Sequence, residues 1–149
     1  MKKLAAALVL VAAGAVFAET TPVMVSLVTP VQAPSSDYDV SGVRLSLVYG
    51  QSRGFTGLDL GIANRATEDF TGIGIGGANI ADGYFCGGHI GLVNWNGNES
   101  RDWDKVSKGA QIGLVNYAEE MDKGIQIGIL NIISRGGWAP VLPFVNGRF

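Results

Sequence analysis

The chain has 149 residues, a formal net charge of −2 and 22 glycines, about twice the ordinary glycine usage. A mildly acidic balance with no basic patch argues against a nucleic-acid partner. The single cysteine, Cys86, excludes an internal disulfide, so an exported fold would be held by backbone ladders and core packing.

Residues 1–18 read as a secretory signal peptide. Lys2 and Lys3 form a basic start, Leu4 to Phe17 is an apolar run, and Val16-Phe17-Ala18 is a cleavage site before Glu19. The run is shorter than the roughly 20 residues a membrane-spanning helix needs. The residue directly after the cleavage site is Glu19 and not a cysteine, which argues against a lipoprotein. Residues 19–149 are then one β-repeat domain of 131 residues with nine basic and thirteen acidic side chains, a formal charge of 9 − 13 = −4. The expected location is outside the cytoplasm: cell surface, outer membrane or periplasm.

From Pro22 onward one pattern recurs: Gly, apolar, variable, Ile/Leu, Gly, apolar, Val/Ala, Asn. Its copies begin at Pro22, Gly42, Gly57, Gly72, Gly87, Gly109, Gly124 and Ala139, with spacings of 20, 15, 15, 15, 22, 15 and 15. The first two lack the Asn and the last carries Pro140 and Pro143, as terminal repeats that close a stack are expected to be atypical. The glycine excess sits at repeat positions and does not signal disorder. Within each copy apolar residues alternate with period two, which predicts a short strand. Leu60, Ile75, Ile90, Ile112 and Ile127 share one position and are predicted to stack as a buried column. The Asn marks the turn that ends each copy.

Two segments interrupt the pattern. Pro30 to Asp39 is read as a surface loop between the first two copies. Trp95 to Lys108 is polar and charged, and carries Trp95, Asn96, Asn98, Glu99, Asp102, Trp103 and Asp104. Insertions of this kind leave a repeat stack on one face and often carry binding, although loop length alone costs little.

These features predict an all-β repeat fold of about eight fifteen-residue units, a parallel β-solenoid in preference to an eight-stranded up-and-down β-barrel. In a parallel stack every copy has an equivalent environment, so spacing stays constant. In a membrane barrel alternate turns face opposite sides of the bilayer and usually differ in length. A solenoid would place Arg44 beside Asp59 as an exposed ion pair, and Gln111 beside Gln126. It would align Asn64, Asn79, Asn94, Asn116, Asn131 and Asn146 as an amide ladder. The barrel draws on the C-terminal Phe149 and on Phe55, Phe70 and Phe85 as an aromatic girdle.

The Gly-x-Gln-Ile-Gly-Leu-Val-Asn units, the Asp39-Val-Ser-Gly-Val-Arg-Leu segment and the Pro140-Val-Leu-Pro-Phe-Val-Asn ending resemble a group of bacterial exported surface-repeat proteins. The resemblance covers most of residues 19–149. It implies export and a repeat fold, and lends no catalytic residues.

Chemistry is sparse. Gly72-Ile-Gly-Ile-Gly-Gly77 matches a dinucleotide fingerprint but lies inside a strand copy instead of opening a helix. His89, the only histidine, stands at the variable position and reads as a solvated side chain. Cys86 has no basic neighbour in sequence and reads as a small buried residue. The acidic and amide residues of the 95–108 segment do not follow a calcium-loop spacing. The function expected is that of an exported, non-enzymatic surface or structural protein that works by contact with cell-envelope or surface components, without cofactor or metal. A small outer-membrane barrel is the alternative, and a calcium- or carbohydrate-binding module centred on the 95–108 loop is a weaker one.

Overall fold

The computed structural model describes residues 20–97 and 106–149. The predicted signal peptide lies outside the described residues. The strands are β1 (Thr20–Val28), β2 (Val31–Ala33), β3 (Asp39–Ser52), β4 (Phe55–Ala66), β5 (Phe70–Ala81) and β6 (Phe85–Ile90). They continue as β7 (Val93–Asn96), β8 (Lys108–Ile112), β9 (Val115–Glu120), β10 (Lys123–Arg135) and β11 (Val141–Arg148).

Successive copies pair in parallel, residue for equivalent residue. Gly57 faces Gly72, Gly72 faces Gly87, Gly87 faces Gly109 and Gly109 faces Gly124. The result is a β-solenoid of about seven coils, not a barrel. Equivalent neighbours explain the constant fifteen-residue period, since each coil must present the next with the same ladder. The chain bends at Gly91–Leu92 and Gly113–Leu114, between β6 and β7 and between β8 and β9, so each coil has two sides. The interior between them is thin. Gln111 Nε2 on β8 donates across it to Tyr117 O on β9 at 3.1 Å, and Gln126 Nε2 donates to Ile132 O at 3.0 Å.

The two glycines of each motif hold the coils at this separation. Gly57, Gly72, Gly87 and Gly109 have φ between 133° and 140°, a region L side chains rarely adopt. A Cβ on Gly72, Gly87 or Gly109 would stand 1.9–2.0 Å from the carbonyl oxygen of the equivalent glycine one coil earlier. At the second glycine, Gly76, Gly91, Gly113 and Gly128 meet the same obstacle at 1.9–2.3 Å.

These glycines decide which face is enclosed, and the outcome reverses the expected core. Period two is present, but the aliphatic positions point outward. Leu60, Ile75, Ile90, Ile112 and Ile127 do form an in-register column, yet Leu60 is only half-buried and each of the four isoleucines is 41–44% exposed. The enclosed positions are the glycines, the variable third residue and the Asn. A thin coil has no room for rows of branched aliphatic side chains between backbones that nearly touch. Small residues and side chains that satisfy the buried backbone fit there instead.

The apolar interior is confined to the turn side and the ends. Met24, Val40, Phe55, Ala66, Phe70, Ala81 and Phe85 form one cluster, and Ala118, Met121 and Ile133 another. Phe55, Phe70 and Phe85 are stacked inside the coils, with ring centroids 5.1 and 5.9 Å apart, and make no girdle.

Both ends depart from the parallel register. β1 pairs β3 in parallel as the first copy, while β2 folds back antiparallel onto β1. The Pro30–Asp39 segment is therefore not wholly irregular. Gln32 on β2 donates to Gln51 O at 2.7 Å. The eighth copy, β11, pairs antiparallel with β10 and is a reversed cap instead of an eighth coil. Asn146 accordingly leaves the Asn column and donates to Ala139 O at 2.8 Å. The seven extra residues between the fifth and sixth copies do not disturb the stack, since Asn94 still faces Asn116.

Candidate interaction surface

Outside the coils, the aliphatic rows run along the length of the molecule. The fourth repeat position contributes the Ile75 column, and the second contributes Val43, Leu58 and Ile73 at 36–50% exposure. At the bend, Leu47, Ile62, Leu92, Leu114 and Ile129 are 49–66% exposed. Val48, Val93 and Leu130 continue the surface around that corner. No charged residue occupies these rows. The row that flanks them carries Ser41, Thr56, Thr71, Cys86, Lys108 and Lys123. Ionic side chains gather instead at the turns joining one coil to the next, as in the pairs Arg53–Asp39 at 2.9 Å and Arg65–Asp82 at 2.7 Å. Each coil is thus aliphatic at one corner and ionic at the other.

Beneath this surface runs a polar interior. Asn64 Nδ2 donates to Asn79 Oδ1 at 3.1 Å, Asn79 to Asn94 at 3.0 Å, Asn94 to Asn116 at 2.8 Å and Asn116 to Asn131 at 2.8 Å. Each of the first four amides also donates to a backbone carbonyl of the following coil, such as Asn94 to Ile112 O at 2.9 Å. The third-position column runs Arg44, Asp59, Gly74, His89, Gln111, Gln126. Arg44 and Asp59 are neighbours, but their bidentate ion pair is buried and not exposed. Arg44 Nη1 also donates to Ser52 Oγ and Arg65 O, both at 2.8 Å, and the guanidinium lies 5.1 Å from the Phe55 ring centroid. Burial raises the Asp59 carboxyl above its usual value, against the hydrogen bonds and charge of Arg44 that pull it down. Gln126 Nε2 donates to Gln111 Oε1 at 2.7 Å, as the register predicts.

His89 is buried, which corrects its reading as a solvated side chain. It leans over Gly74, whose missing side chain leaves the space, and lies 4.5 Å from both the Phe70 and Phe85 ring centroids. Burial and the Arg44 charge push its pKa down to about 3, so the imidazole is neutral. Its Nδ1 has no hydrogen-bond partner. Cys86 is half-buried in the flanking row, and the coil places Lys108 opposite it, which the linear sequence did not show. The Tyr84 hydroxyl, hydrogen-bonded to Cys86 and partly desolvated, is pushed up to about 12.

Of the loop residues singled out in the sequence, the structure describes two. Trp95 is 44% exposed and stacks on Tyr117 at 3.9 Å between centroids and 17° between planes. Asn96 is buried at the root of the loop, donating to Gly83 O at 3.1 Å and accepting from Ser107 Oγ at 2.8 Å. Asn98, Glu99, Asp102, Trp103 and Asp104 lie outside the described residues. Among the described residues no group of three His, Cys, Asp or Glu side chains is placed to hold a metal ion. An open hollow of about 330 Å³ is lined by Asp39, Glu68 and Asp69, and the two aspartate carboxylates are engaged. Asp39 accepts from Arg53 and from Gly54 N, and Asp69 accepts from Tyr84 N. The Arg53 hydrogen bonds hold the Asp39 carboxyl below its usual value despite partial burial.

Comparison with protein-family models, with curated proteins and with solved structures gave no match. The surface signal that sequence reasoning missed was the pair of glycines on the side opposite the aliphatic residues. Close backbone approach marks the inside, and the aliphatic rows are therefore outside.

Proposed function

We propose that this chain is an exported, non-enzymatic repeat protein that acts by contact, presenting a stiff, uncharged aliphatic face to a partner. The observation that carries the proposal is that face. Sixteen aliphatic side chains from Val43 to Leu130 stand 36–66% exposed in aligned rows. Soluble monomers rarely expose contiguous apolar patches beyond about 300–600 Å². Stiffness comes from the amide ladder and the buried ion pair beneath it, so the face loses little side-chain and backbone freedom on binding. Residues 1–18 supply the export half of the proposal, and the resemblance of the Gly-x-Gln-Ile-Gly-Leu-Val-Asn units to the exported surface-repeat group supports it.

Two measurements test it. The full chain is expressed in a bacterium with a general secretion pathway, and the N-terminus of the product is sequenced. Cleavage before Glu19 supports export, whereas an uncleaved cytoplasmic product removes it. Separately, the folded protein is titrated with an apolar fluorescent probe. Probe binding that Ile75→Lys weakens supports the contact face, and absence of binding removes it. A second reading, carbohydrate binding, draws on the exposed Trp95–Tyr117 stack, a platform suited to a sugar ring. Oligosaccharide titration that Trp95→Ala leaves unchanged would refute that reading.

A further inference from the structure

The aliphatic face has a specific geometry, and that geometry selects among occupants. Seven coils at about 4.8 Å give a face about 30 Å long. Thirteen of the exposed aliphatic residues stand on one side of the coils and at its bend, Val48, Val93 and Leu130 lying around the corner, and these thirteen present on the order of 1,000 Å² of accessible surface, against about 800 Å² per partner in a standard stable interface. The rows are parallel and evenly spaced, so one face fits another of the same kind, with the rows of one copy seated between the rows of its mate and the sheets about 10 Å apart. The face carries no charge, so two copies of a chain with net charge −2 meet where no like charges oppose each other. An anionic lipid surface finds no such match. Its flanking row offers only Lys108 and Lys123 among small polar residues, and the chain is acidic overall.

The ends of the stack differ from its coils. At one end β2 pairs antiparallel with the Val25–Val28 part of β1, and at the other β11 pairs antiparallel with β10 from Gly124 to Ile132. Neither β2 nor β11 runs in the parallel, in-register sense of the coils.

We infer that the aliphatic face is a self-association surface, at which two copies of this chain pack sheet against sheet about a two-fold axis near Ile75. The inference rests on the reading of that face as a contact surface and names its partner. In a two-fold interface residue i of one copy contacts j of the other and j contacts i, and only residues at the axis meet their own equivalents, so with the axis near Ile75 the central coil meets its copy there. A single substitution there acts twice.

Sedimentation equilibrium of the purified protein over a range of concentrations reads the proposal directly. The wild-type chain should be dimeric. Ile75→Lys, which places two ammonium groups together in an apolar interface, should weaken the dimer at least about tenfold with strand content unchanged. Thr71→Lys, in the flanking row of the same coil, should leave it intact. If Ile75→Lys loses strand content, Ile62→Lys at the exposed corner takes its place. A wild-type dimer that survives the face substitution with the fold intact overturns the inference. So does a wild-type monomer at the highest soluble concentration. In that second case, flotation with phosphatidylcholine vesicles would keep the contact reading and transfer the face to lipid, while a monomer that binds neither vesicles nor apolar probe would end both.

Discussion

Replacing Asn94 by Ala tests the amide ladder, because the groups left behind can be counted. Asn94 makes three side-chain hydrogen bonds: it donates to Asn116 Oδ1 and Ile112 O, and accepts from Asn79 Nδ2. After truncation Asn79 Nδ2 still has Ile90 O at 3.0 Å, and Ile112 O still accepts from Gly91 N at 3.0 Å. Asn116 Oδ1 is left with no donor in a fully buried residue. One orphaned acceptor costs about 1–3 kcal/mol and each of the other lost bonds about 0.5–1.5, so the substitution should destabilise by about 3–4 kcal/mol. At this chain length that lowers the melting temperature by about 10–15 °C. Asn131→Ala is the control. Asn131 donates only to its own coil, at Gly128 O, and Asn116 Nδ2 keeps Ile127 O when it is lost, so about 1–2 kcal/mol is expected. Asn94→Asp adds a sign. Its second oxygen would face two acceptors, so its folded pKa rises above the unfolded value of about 3.9. The penalty is full above the folded pKa and disappears as pH falls through it. Relative to wild type at each pH, Asn94→Asp should therefore recover stability in acid. Urea unfolding followed by far-ultraviolet circular dichroism measures all three. Equal losses for Asn94→Ala and Asn131→Ala, or no relative recovery of Asn94→Asp in acid, would refute the accounting.

Adjacent glycines give a sharper contrast. A Cβ on Gly87 lands 1.9 Å from Gly72 O at φ 140°, whereas a Cβ on Gly88 meets nothing within 4 Å. Gly87→Ala should destabilise by at least about 3 kcal/mol and Gly88→Ala by less than about 0.5 kcal/mol, read from denaturant midpoints. His89 stays neutral in the fold down to about pH 3 but protonates near 6.5 when unfolded. Between those values the unfolded state holds the extra proton, so stability falls as pH falls, by up to about 1.4 kcal/mol per pH unit. His89→Gln should flatten that slope in a pH series of unfolding curves. Ile112→Asp places its carboxylate on the outer face and should change monomer stability by less than about 1 kcal/mol; unfolding would return that column to the interior. Removing seven residues from the 98–105 segment and its flank restores the fifteen-residue spacing and should leave strand content and melting temperature intact.

The sequence made the period legible and left its sign open. Fifteen-residue recurrence, parallel pairing, the Arg44–Asp59 and Gln111–Gln126 contacts and the Asn ladder all follow from equivalent positions stacking on each other. Alternation of apolar and small residues says that two faces differ. It does not say which is enclosed, and the habit of placing Ile and Leu inside gave the wrong face here. The deciding signal was steric: two glycines per coil on one face mean backbones in near contact. The bend at the second glycine also shifts the parity, which carries the Asn inward instead of into a turn. The antiparallel turn of β11 and the insertion of His89 over Gly74 depend on end effects and on one missing side chain, which a repeat pattern averages away. Of the proposed loop site, only Trp95 and Asn96 lie among the described residues, and Asn96 serves the fold.

The amide ladder also has a direction. Every donor from Asn64 to Asn116 points to the coil that follows it in sequence, and only Asn131 closes within its own coil. A coil made earlier is therefore completed by one made later. During synthesis the early coils hold unsatisfied amides until their successors arrive, while the last coil is self-sufficient once β11 has folded over it. Order should spread from the C-terminal coils toward the N-terminus, and the chain should remain open through most of its emergence, a state suited to being threaded before it folds. Pulsed hydrogen exchange during refolding, showing β10 and β11 protected before β3 and β4, is the kinetic form this polarity should take; protection of β3 and β4 first would show that the ladder does not direct folding.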